Sequence, residues 1–291
     1  MTWTAYRVVL RLRSPMHIGR GKVGNVQRTR SYVTGRVLWG ALTERLTRDH
    51  FRGKGPATDS KQYANVSATV HSKLAFTYFY PTTSKDGQVP LWPWDDGFAA
   101  RFLSTYPSTA LVYPQQSAEE GTLHEVECLV PHTLDEGKPV YLVGYLFAKD
   151  GATDWQSALT RVQLGGERGY GWGRVEPVEG RPQPWDDNDG SLFGCYTLKP
   201  DAWPPVLRAE EKAPLLAHAL AADFGEEHKA VNGVDGVVEP LVGRETHPQD
   251  GRFGVWISSA RICYAPGSQV DPETTFRIGP YGIWEAVANA P

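Results

Sequence analysis

The sequence predicts an α+β fold, and three periodic patterns support this prediction. Residues 4–13 alternate between two faces, as a half-buried strand does, with an apolar face made of Tyr6, Val8, Leu10 and Leu12. Leucines spaced four residues apart predict a helix over 36–50, for which Thr34 is the N-terminal cap. Residues 122–130 and 139–148 predict two strands of a hairpin.

A second helix and a last strand complete this first unit. Asp154 is placed to cap a helix that runs to Leu164, and 172–178 predict a strand. The order strand, helix, hairpin, helix, strand is the βαββαβ arrangement of ferredoxin-like domains. We therefore expect one ferredoxin-like domain over 1–179, with a long insertion at about 53–118.

The insertion and the remainder of the chain carry weaker patterns. Within the insertion, polar residues 53–72 predict a mobile segment and 73–80 predict a strand that ends at Pro81. Residues 180–291 predict a second, β-rich unit that starts with a Pro-, Trp- and Asp-rich linker, and a degenerate ferredoxin-like fold is one candidate for it. Its expected elements are strands over 236–242, 252–264 and 276–284 and a helix over 209–224.

Composition excludes several classes of protein. The 291 residues are 41% hydrophobic and 22% charged, which excludes a wholly disordered chain. The sequence has no apolar run of about 18 residues, and residues 1–7 lack the layout of a signal peptide, so we expect a cytoplasmic protein without membrane contact. Three distant cysteines, Cys128, Cys195 and Cys263, predict reduced thiols, not a disulfide framework.

Charge is distributed very unevenly along the chain. Residues 1–54 contain 12 Lys or Arg against Glu44 and Asp49, an excess of ten positive charges, although the net charge of the whole chain is −3. Such a cluster favours a polyanion as partner, above all a nucleic acid. A solvated face, or a face docked on an acidic protein subunit, is the alternative.

Four of these cationic residues lie in a Gly- and Arg-rich stretch over 14–32, which lacks periodicity and predicts a loop. Guanidinium and ammonium groups pair well with phosphate. The candidate RNA-binding residues are Arg20, Lys22, Arg28 and Arg30 of this stretch, and Arg36 shortly after it.

The strongest local motif is the glycine-rich loop, residues 165–174. Its glycines allow close approach of a partner, its successive N–H groups suit an anion, and its aromatic side chains suit base stacking. Its candidate RNA-binding residues are Gly166, Arg168, Gly169, Tyr170, Gly171, Trp172 and Arg174. The alternative is a tight turn between helix and strand whose aromatic residues pack on the core.

Few residues suggest catalysis or a cofactor. His17 follows the first strand and is a candidate for an RNA contact and a weak candidate for a general base. The histidines and cysteines lack metal-site spacing, and neither a dinucleotide fingerprint nor a Walker loop occurs. We therefore expect neither a metal nor a small-molecule cofactor.

Three segments together resemble the RAMP superfamily of CRISPR–Cas class 1 effector proteins. They are Ser14-Pro15-Met16-His17-Ile18-Gly19 after the first strand, residues 32–42 at the start of the first helix, and the glycine-rich loop. The segment Thr34-Gly35-Arg36 lacks the paired serines usual in the family. The resemblance covers about 1–50 and 155–178 and extends little into 180–291.

The resemblance implies one or two RRM-like domains and binding of CRISPR RNA inside a multi-subunit ribonucleoprotein of the prokaryotic cytoplasm. Within the family, the chain is most similar to a type III subunit that caps the 5′ handle of the guide RNA, beside a large subunit and other RAMP proteins. Two alternatives stay open. The chain could be a metal-independent endoribonuclease that processes precursor CRISPR RNA with His17 as base, or a purely structural docking subunit.

Overall fold

The computed structural model describes residues 3–89, 91–185, 191–199, 202–245 and 254–287. The protein mixes α and β structure and consists mostly of sheets. Its helices in these residues are α1 (Gly35–His50), α2 (Ser60–Lys73), α3 (Phe98–Phe102) and α4 (Trp155–Leu159), with single 3-10 turns at Arg168–Tyr170 and Pro280–Gly282. None of the helices in the described residues is long and apolar enough to cross a membrane.

The strands divide between the two halves of the chain. Those of the first half are β1 (Trp3–Leu12), β2 (Gly19–Val23), β3 (Val26–Thr29), β4 (Leu74–Phe76), β5 (Tyr80–Thr82), β6 (Leu103–Ser108), β7 (Leu111–Val112), β8 (Ser117–Ala118), β9 (His124–Leu129), β10 (Tyr141–Lys149) and β11 (Val175–Pro177). Those of the second half are β12 (Ser191–Leu192), β13 (Tyr196–Lys199), β14 (Val206–Ala209), β15 (Ala213–Pro214), β16 (Ala219–Leu220), β17 (Val234–Asp235), β18 (Val238–Leu241), β19 (Arg244–Glu245), β20 (Trp256–Ile257), β21 (Arg261–Tyr264), β22 (Gln269–Val270), β23 (Thr275–Ile278) and β24 (Trp284–Ala286).

The main sheet is antiparallel and is ordered β11-β1-β10-β4, with β5 also paired to β10. Strands β1 and β10 form its centre, with Val9 opposite Val143. The predicted alternation of the first strand is confirmed, because Val8, Leu10 and Leu12 enter one core together with residues of α1 and α4. Tyr145 and Phe147 of β10 point to the opposite face and pack against the second half of the chain.

The two halves of the chain therefore share a core on that second face of the main sheet. The eight-stranded sheet of the second half, ordered β12-β13-β14-β23-β24-β16-β21-β18, contributes Leu207, Phe276 and Trp284 to this core. Gly35 at the start of α1 lies against the backbone of Tyr281, so closely that a Cβ there would stand 2.4 Å from the Tyr281 carbonyl oxygen. Packing of this kind fixes the position of α1 on both halves.

The predicted hairpin of 122–130 and 139–148 is wrong. Strand β9 belongs to a separate side sheet, ordered β2-β3-β9-β6, whereas β10 belongs to the main sheet. Strands β4 and β5, predicted to lie within the insertion, pair with β10 in its place. Pro81 does not end the strand but lies within β5, which is tolerated because β5 is at the edge of the sheet.

Two predicted loops contain regular structure. Residues 19–29 form the hairpin β2–β3, which turns at Gly24 with φ of 57°. Its first strand is exposed along its whole length, so it lacks the apolar alternation that marks a strand. The polar segment 53–72 contains most of α2, whose first turn is capped by the Asp59 carboxylate accepting from the Lys61 N–H at 2.9 Å.

The predicted helix over 209–224 is also wrong, because this segment forms β15, β16 and extended chain. Residues 215–220 are buried on all sides, so no polar face exists for a surface helix. Pro214 would also interrupt a helix at this point. The three cysteines are free, as predicted.

Candidate nucleic-acid interface

The two strongest motifs of the sequence lie side by side at the end of β1. The backbone N–H of Gly166 donates to the His17 carbonyl at 2.8 Å, and the N–H of Gly173 donates to the Pro15 carbonyl at 2.7 Å. Hairpin β2–β3 starts directly after this segment, at Gly19. The segment 15–19, the hairpin and the glycine-rich loop thus form one continuous backbone-linked surface.

The glycines of the loop serve two different purposes. A Cβ at Gly165 would lie 2.2 Å from the His17 carbonyl oxygen, and one at Gly173 would lie 2.0 Å from that of Leu164. Both residues also have positive φ, of 84° and 75°, so they are required by the fold itself. Gly169 is exposed, has ordinary φ, and has open space at its Cβ position. Bare backbone at Gly169 is therefore available to a partner.

The two aromatic side chains of the loop are placed differently. Tyr170 is 84% exposed and can stack on a base. Trp172 is only 9% exposed and packs edge-on against Tyr106 at 5.8 Å between ring centres, beside Val126 and Cys128. This ring anchors the loop to the side sheet, and its burial does not favour the predicted stacking role of Trp172.

Arg168 already has a partner within the chain. Its guanidinium forms an ion pair with the Glu44 carboxylate on α1, and Glu44 also pairs with Arg48 at 2.7 Å. The Arg168 side chain is nevertheless 43% exposed. A phosphate that binds Arg168 would compete with Glu44 or join it.

The predicted basic stretch keeps only part of its charge free. Arg28 pairs with Glu127 at 3.1 Å, and Arg20 lies 3.5 Å from Glu239 while remaining largely exposed. Lys22 is exposed on β2, and among the described residues it has no ion-pair partner. Arg174 is also exposed, and it forms no ion pair with any residue that the structure describes. Its backbone N–H donates to the Ser14 hydroxyl at 2.9 Å. Lys22 and Arg174 are the most available cations of this surface.

Arg30 is mostly buried and belongs to a polar network between the two halves of the chain. Its guanidinium donates to Glu239 at 2.8 Å and to the Tyr32 hydroxyl at 3.2 Å. His218 donates from Nε2 to Glu239 at 2.6 Å, and its Nδ1 accepts from the Tyr78 hydroxyl at 2.8 Å. This network encloses most of the Arg30 side chain and does not favour its predicted contact with phosphate.

The network has the electrostatics of a structural contact. The hydrogen bonds donated by His218 and Arg30 lower the pKa of Glu239 to about 2. Burial lowers the pKa of His218, so this imidazole is neutral at pH 7. The Glu239 carboxylate accepts from two donors, and the neutral His218 ring bridges this carboxylate and the Tyr78 hydroxyl. These groups are therefore hydrogen-bonded to one another within the cluster.

Arg36 is likewise engaged with the second half of the chain. Its guanidinium lies 4.7 Å from the centre of the Tyr281 ring and pairs with Glu245 at 3.0 Å. The contact of Arg36 with phosphate at the helix start stays a prediction, and the contacts that the structure gives this side chain lie within the chain. Thr34 occupies the N-cap position of α1 but its side chain makes no capping hydrogen bond.

His17 is 6% exposed, and its Nδ1 lies 2.8 Å from the Glu127 carbonyl oxygen. A carbonyl oxygen only accepts, so Nδ1 carries a proton and donates it to this oxygen. The ring borders Gly19, whose Cβ position lies 3.6 Å from Nε2. This burial leaves little access for a ribose hydroxyl, and the geometry fits a residue that shapes the loop. Among the described residues, no group of three or more His, Cys, Asp or Glu is gathered as a metal site.

The acidic partners of this surface were missed by sequence reasoning. Seven of the 12 Lys and Arg in 1–54 form ion pairs within the described residues: Arg13, Arg20, Arg28, Arg30, Arg36, Arg45 and Arg48. The sequence contained one indication of these ion pairs, the excess of acidic residues after position 54. A chain of net charge −3 has enough carboxylates to pair with the Lys and Arg of 1–54.

No protein-family model and no curated protein matches this chain. Many solved structures are similar to it, among them three type III-B Cmr-beta chains. One, bound to cognate target RNA and AMPPnP in state 1, is 14% identical with a TM-score of 0.48, over 91% of this chain and 85% of that one. Another, bound to cognate target RNA, is 13% identical with a TM-score of 0.45, over 91% and 86%. The third, in the apo state, is 11% identical with a TM-score of 0.38, over 60% and 96%.

Proposed function

We propose that this chain is a CRISPR RNA-binding subunit of a type III-like effector ribonucleoprotein of the prokaryotic cytoplasm. It holds the 5′ handle of the guide RNA at the surface formed by hairpin β2–β3 and the glycine-rich loop. The observation that carries the proposal is the hydrogen-bonded contact of the glycine-rich loop with segment 15–19. That contact joins the segment before hairpin β2–β3, which carries Lys22, to the loop that carries Tyr170 and Arg174.

Each exposed group of this surface has a distinct role in the proposal. Lys22 and Arg174 neutralise backbone phosphates, and the bare backbone at Gly169 lets a phosphate approach the main chain there. Tyr170 stacks on an unpaired base. Such contacts are independent of base identity, as suits the backbone of a handle held in a fixed path.

The strand order supports a ferredoxin-like domain over 1–179. Counting β1, β4, β10 and β11 as its four strands gives the order 4-1-3-2, with α1 between the first two strands and α4 between the last two. Residues 180–291 are proposed as a second, β-rich domain. Its core is continuous with the face of the main sheet opposite α1 and α4.

The second half of the chain offers a surface for other subunits. Strand β18 is the edge of the eight-stranded sheet, and exposed apolar side chains lie on it, directly before and after it, and on β20: Val238, Val237, Val242 and Ile257. Exposed apolar groups at a sheet edge favour a protein partner. We propose that other RAMP proteins or the large subunit cover this edge.

The direct test is incubation of the purified protein with labelled repeat-derived RNA in EDTA. Salt-sensitive binding without cleavage supports the proposal. Cleavage would instead assign a metal-independent endoribonuclease, and neither binding nor cleavage would leave a docking subunit.

A matched pair of variants locates the site in the same assay. Tyr170 and Tyr113 are both 84% exposed, but Tyr113 lies between β7 and β8 and is not part of the glycine-rich loop. Tyr170→Ala should weaken RNA binding by about 1–3 kcal/mol, the usual contribution of one stacked base. Tyr113→Ala should leave the affinity unchanged.

A further inference from the structure

A surface cavity that the RNA proposal does not use opens at the C-terminal end of α1. Its volume is about 670 Å³, and it lies between α1, the following loop 53–58, the start of α2 and the segment after α4. Its chemically distinctive lining residues are Arg45, Arg48, Arg52, Arg161, Phe51 and Tyr63. Four guanidinium groups and two aromatic rings thus surround one opening.

The carboxylates beside the cavity do not neutralise it. Asp49 pairs with Arg161 through two bonds of 2.9 Å and with Arg45 at 2.8 Å. Glu44 pairs with Arg48 at 2.7 Å and also with Arg168 of the glycine-rich loop. Four arginines therefore share two carboxylates, and together with Arg52 they leave the site with an excess positive charge. This excess also outweighs the partial negative charge of the helix C-terminus.

Several donors around the cavity have no partner in the described residues. Nε of Arg45 is buried without a hydrogen bond. The Arg52 side chain is exposed, and it forms no ion pair with any residue that the structure describes. The hydroxyls of Thr58 and Tyr63 likewise have no hydrogen bond among these residues. A buried donor is satisfied in native proteins by an acceptor such as water or an anion. All these groups suit an anion with several oxygens.

We propose that this cavity is a phosphate-binding site, in which Arg48 and Arg52 hold the phosphoryl oxygens. Arg45 and Arg161 are fixed by Asp49 and form the wall of the site. Phosphate fits the donors because guanidinium groups bind its oxygens in pairs. The phosphate can belong to a nucleoside polyphosphate, whose base would lie against Phe51 or Tyr63, or to an RNA backbone that continues from Arg168 across Glu44.

The test uses inorganic pyrophosphate as the probe, so it does not depend on RNA binding by the protein. Isothermal titration in magnesium-free buffer should give a saturable 1:1 signal that weakens with added salt. The double variant Arg48→Gln, Arg52→Gln should lower this affinity by roughly tenfold or more, because each change removes a charge-assisted contact. Arg181→Gln is the matched control, an exposed arginine outside the cavity, and should bind as the wild type does.

Two further ligands identify the source of the phosphate. ATP binding at least about tenfold tighter than pyrophosphate would point to a nucleotide held by the aromatic wall. A short single-stranded RNA that competes with pyrophosphate, with ATP no tighter than pyrophosphate, would point to the RNA backbone. Either result supports the site. Absence of pyrophosphate binding, or equal binding by the double variant and the wild type, would overturn it.

Discussion

The backbone N–H of Gly166 donates a 2.8 Å hydrogen bond to the carbonyl oxygen of His17. This contact joins the glycine-rich loop to the segment that follows the first strand, although the two are far apart in the sequence. Because main-chain groups make the joint, Tyr170 and Arg174 are left exposed beside it. A surface built in this way separates residues that hold the loop from residues that meet a partner.

That separation predicts opposite effects of alanine at two glycines. Gly169→Ala should leave the unfolding free energy within about 0.5 kcal/mol of the wild type, because its Cβ position is open and its φ is ordinary. It should weaken RNA binding, because the Cβ obstructs the bare backbone. Gly173→Ala should destabilise the fold by at least about 1–3 kcal/mol, since its Cβ would meet the Leu164 carbonyl at 2.0 Å. Urea unfolding and RNA titration of both variants measure these effects.

An unchanged RNA affinity in a folded Gly169→Ala variant would count against backbone contact at this loop. The loop would then be a structural turn, as the alternative interpretation of the sequence holds.

The ion pair of Arg168 and Glu44 distinguishes an RNA-binding role of Arg168 from a role in docking the loop on α1. Arg168→Ala should reduce RNA affinity several-fold while changing stability by only about 0–1 kcal/mol, the usual contribution of a partly exposed ion pair. Glu44→Gln removes the competing carboxylate and should leave RNA affinity equal or higher. If Arg168 serves only to dock the loop on α1, both variants should instead weaken RNA binding alike.

The parts of the fold that could be predicted from sequence are those with one apolar face. Strand β1 and helix α1 have such faces and were predicted within one or two residues. Strand β2 is exposed on all sides, and residues 215–220 are buried on all sides, so neither has a periodic pattern to detect.

The candidate site could be predicted only as a set of segments. The sequence indicated His17 and the glycine-rich loop as candidate RNA-binding elements. The carboxylates that pair with the arginines lie in strands that are distant in the sequence. Arg30 looks like a free cation in the sequence, whereas Glu239 and His218 enclose it in the fold. Pairing of charges across more than a hundred residues follows from tertiary structure and has no local signal.

Packing between the two halves of the chain is tested by two glycines of α1. Gly40→Ala should stabilise the protein by up to about 1 kcal/mol, because alanine favours a helix interior and the Cβ position is open. Gly35→Ala should destabilise it by about 1–3 kcal/mol, because its Cβ would lie 2.4 Å from the Tyr281 carbonyl oxygen. Denaturant unfolding measures both, and a stabilising Gly35→Ala change would contradict the close contact of the two halves.

The buried histidine of the polar network predicts a pH dependence of stability. Burial lowers the pKa of His218 below its usual 6.5, so the unfolded chain binds a proton that the folded chain does not. The stabilisation is fully present above about pH 6.5 and is lost as the pH falls towards the lowered pKa. His71, whose pKa is also lowered by burial, contributes in the same window.

Urea unfolding at pH 7.5 and 5.5 measures this effect. The loss of unfolding free energy between the two values should be smaller in His218→Gln than in the wild type, by at most about 1.4 kcal/mol per pH unit. His71→Gln, measured in parallel, separates the share of that residue. An equal loss in His218→Gln and the wild type would show that His218 does not titrate on unfolding.

The salt dependence of RNA binding tests the proposed surface most directly. Lys22→Gln with Arg174→Gln removes the two exposed cations, whereas Lys212→Gln with Arg181→Gln removes the same charge from exposed positions elsewhere. The slope of log K against log salt should fall by about 0.7 for each phosphate that the first double variant no longer neutralises. The second double variant should keep the wild-type slope. A wild-type slope in the first variant, or an equal fall in both, would contradict RNA binding at hairpin β2–β3 and the glycine-rich loop.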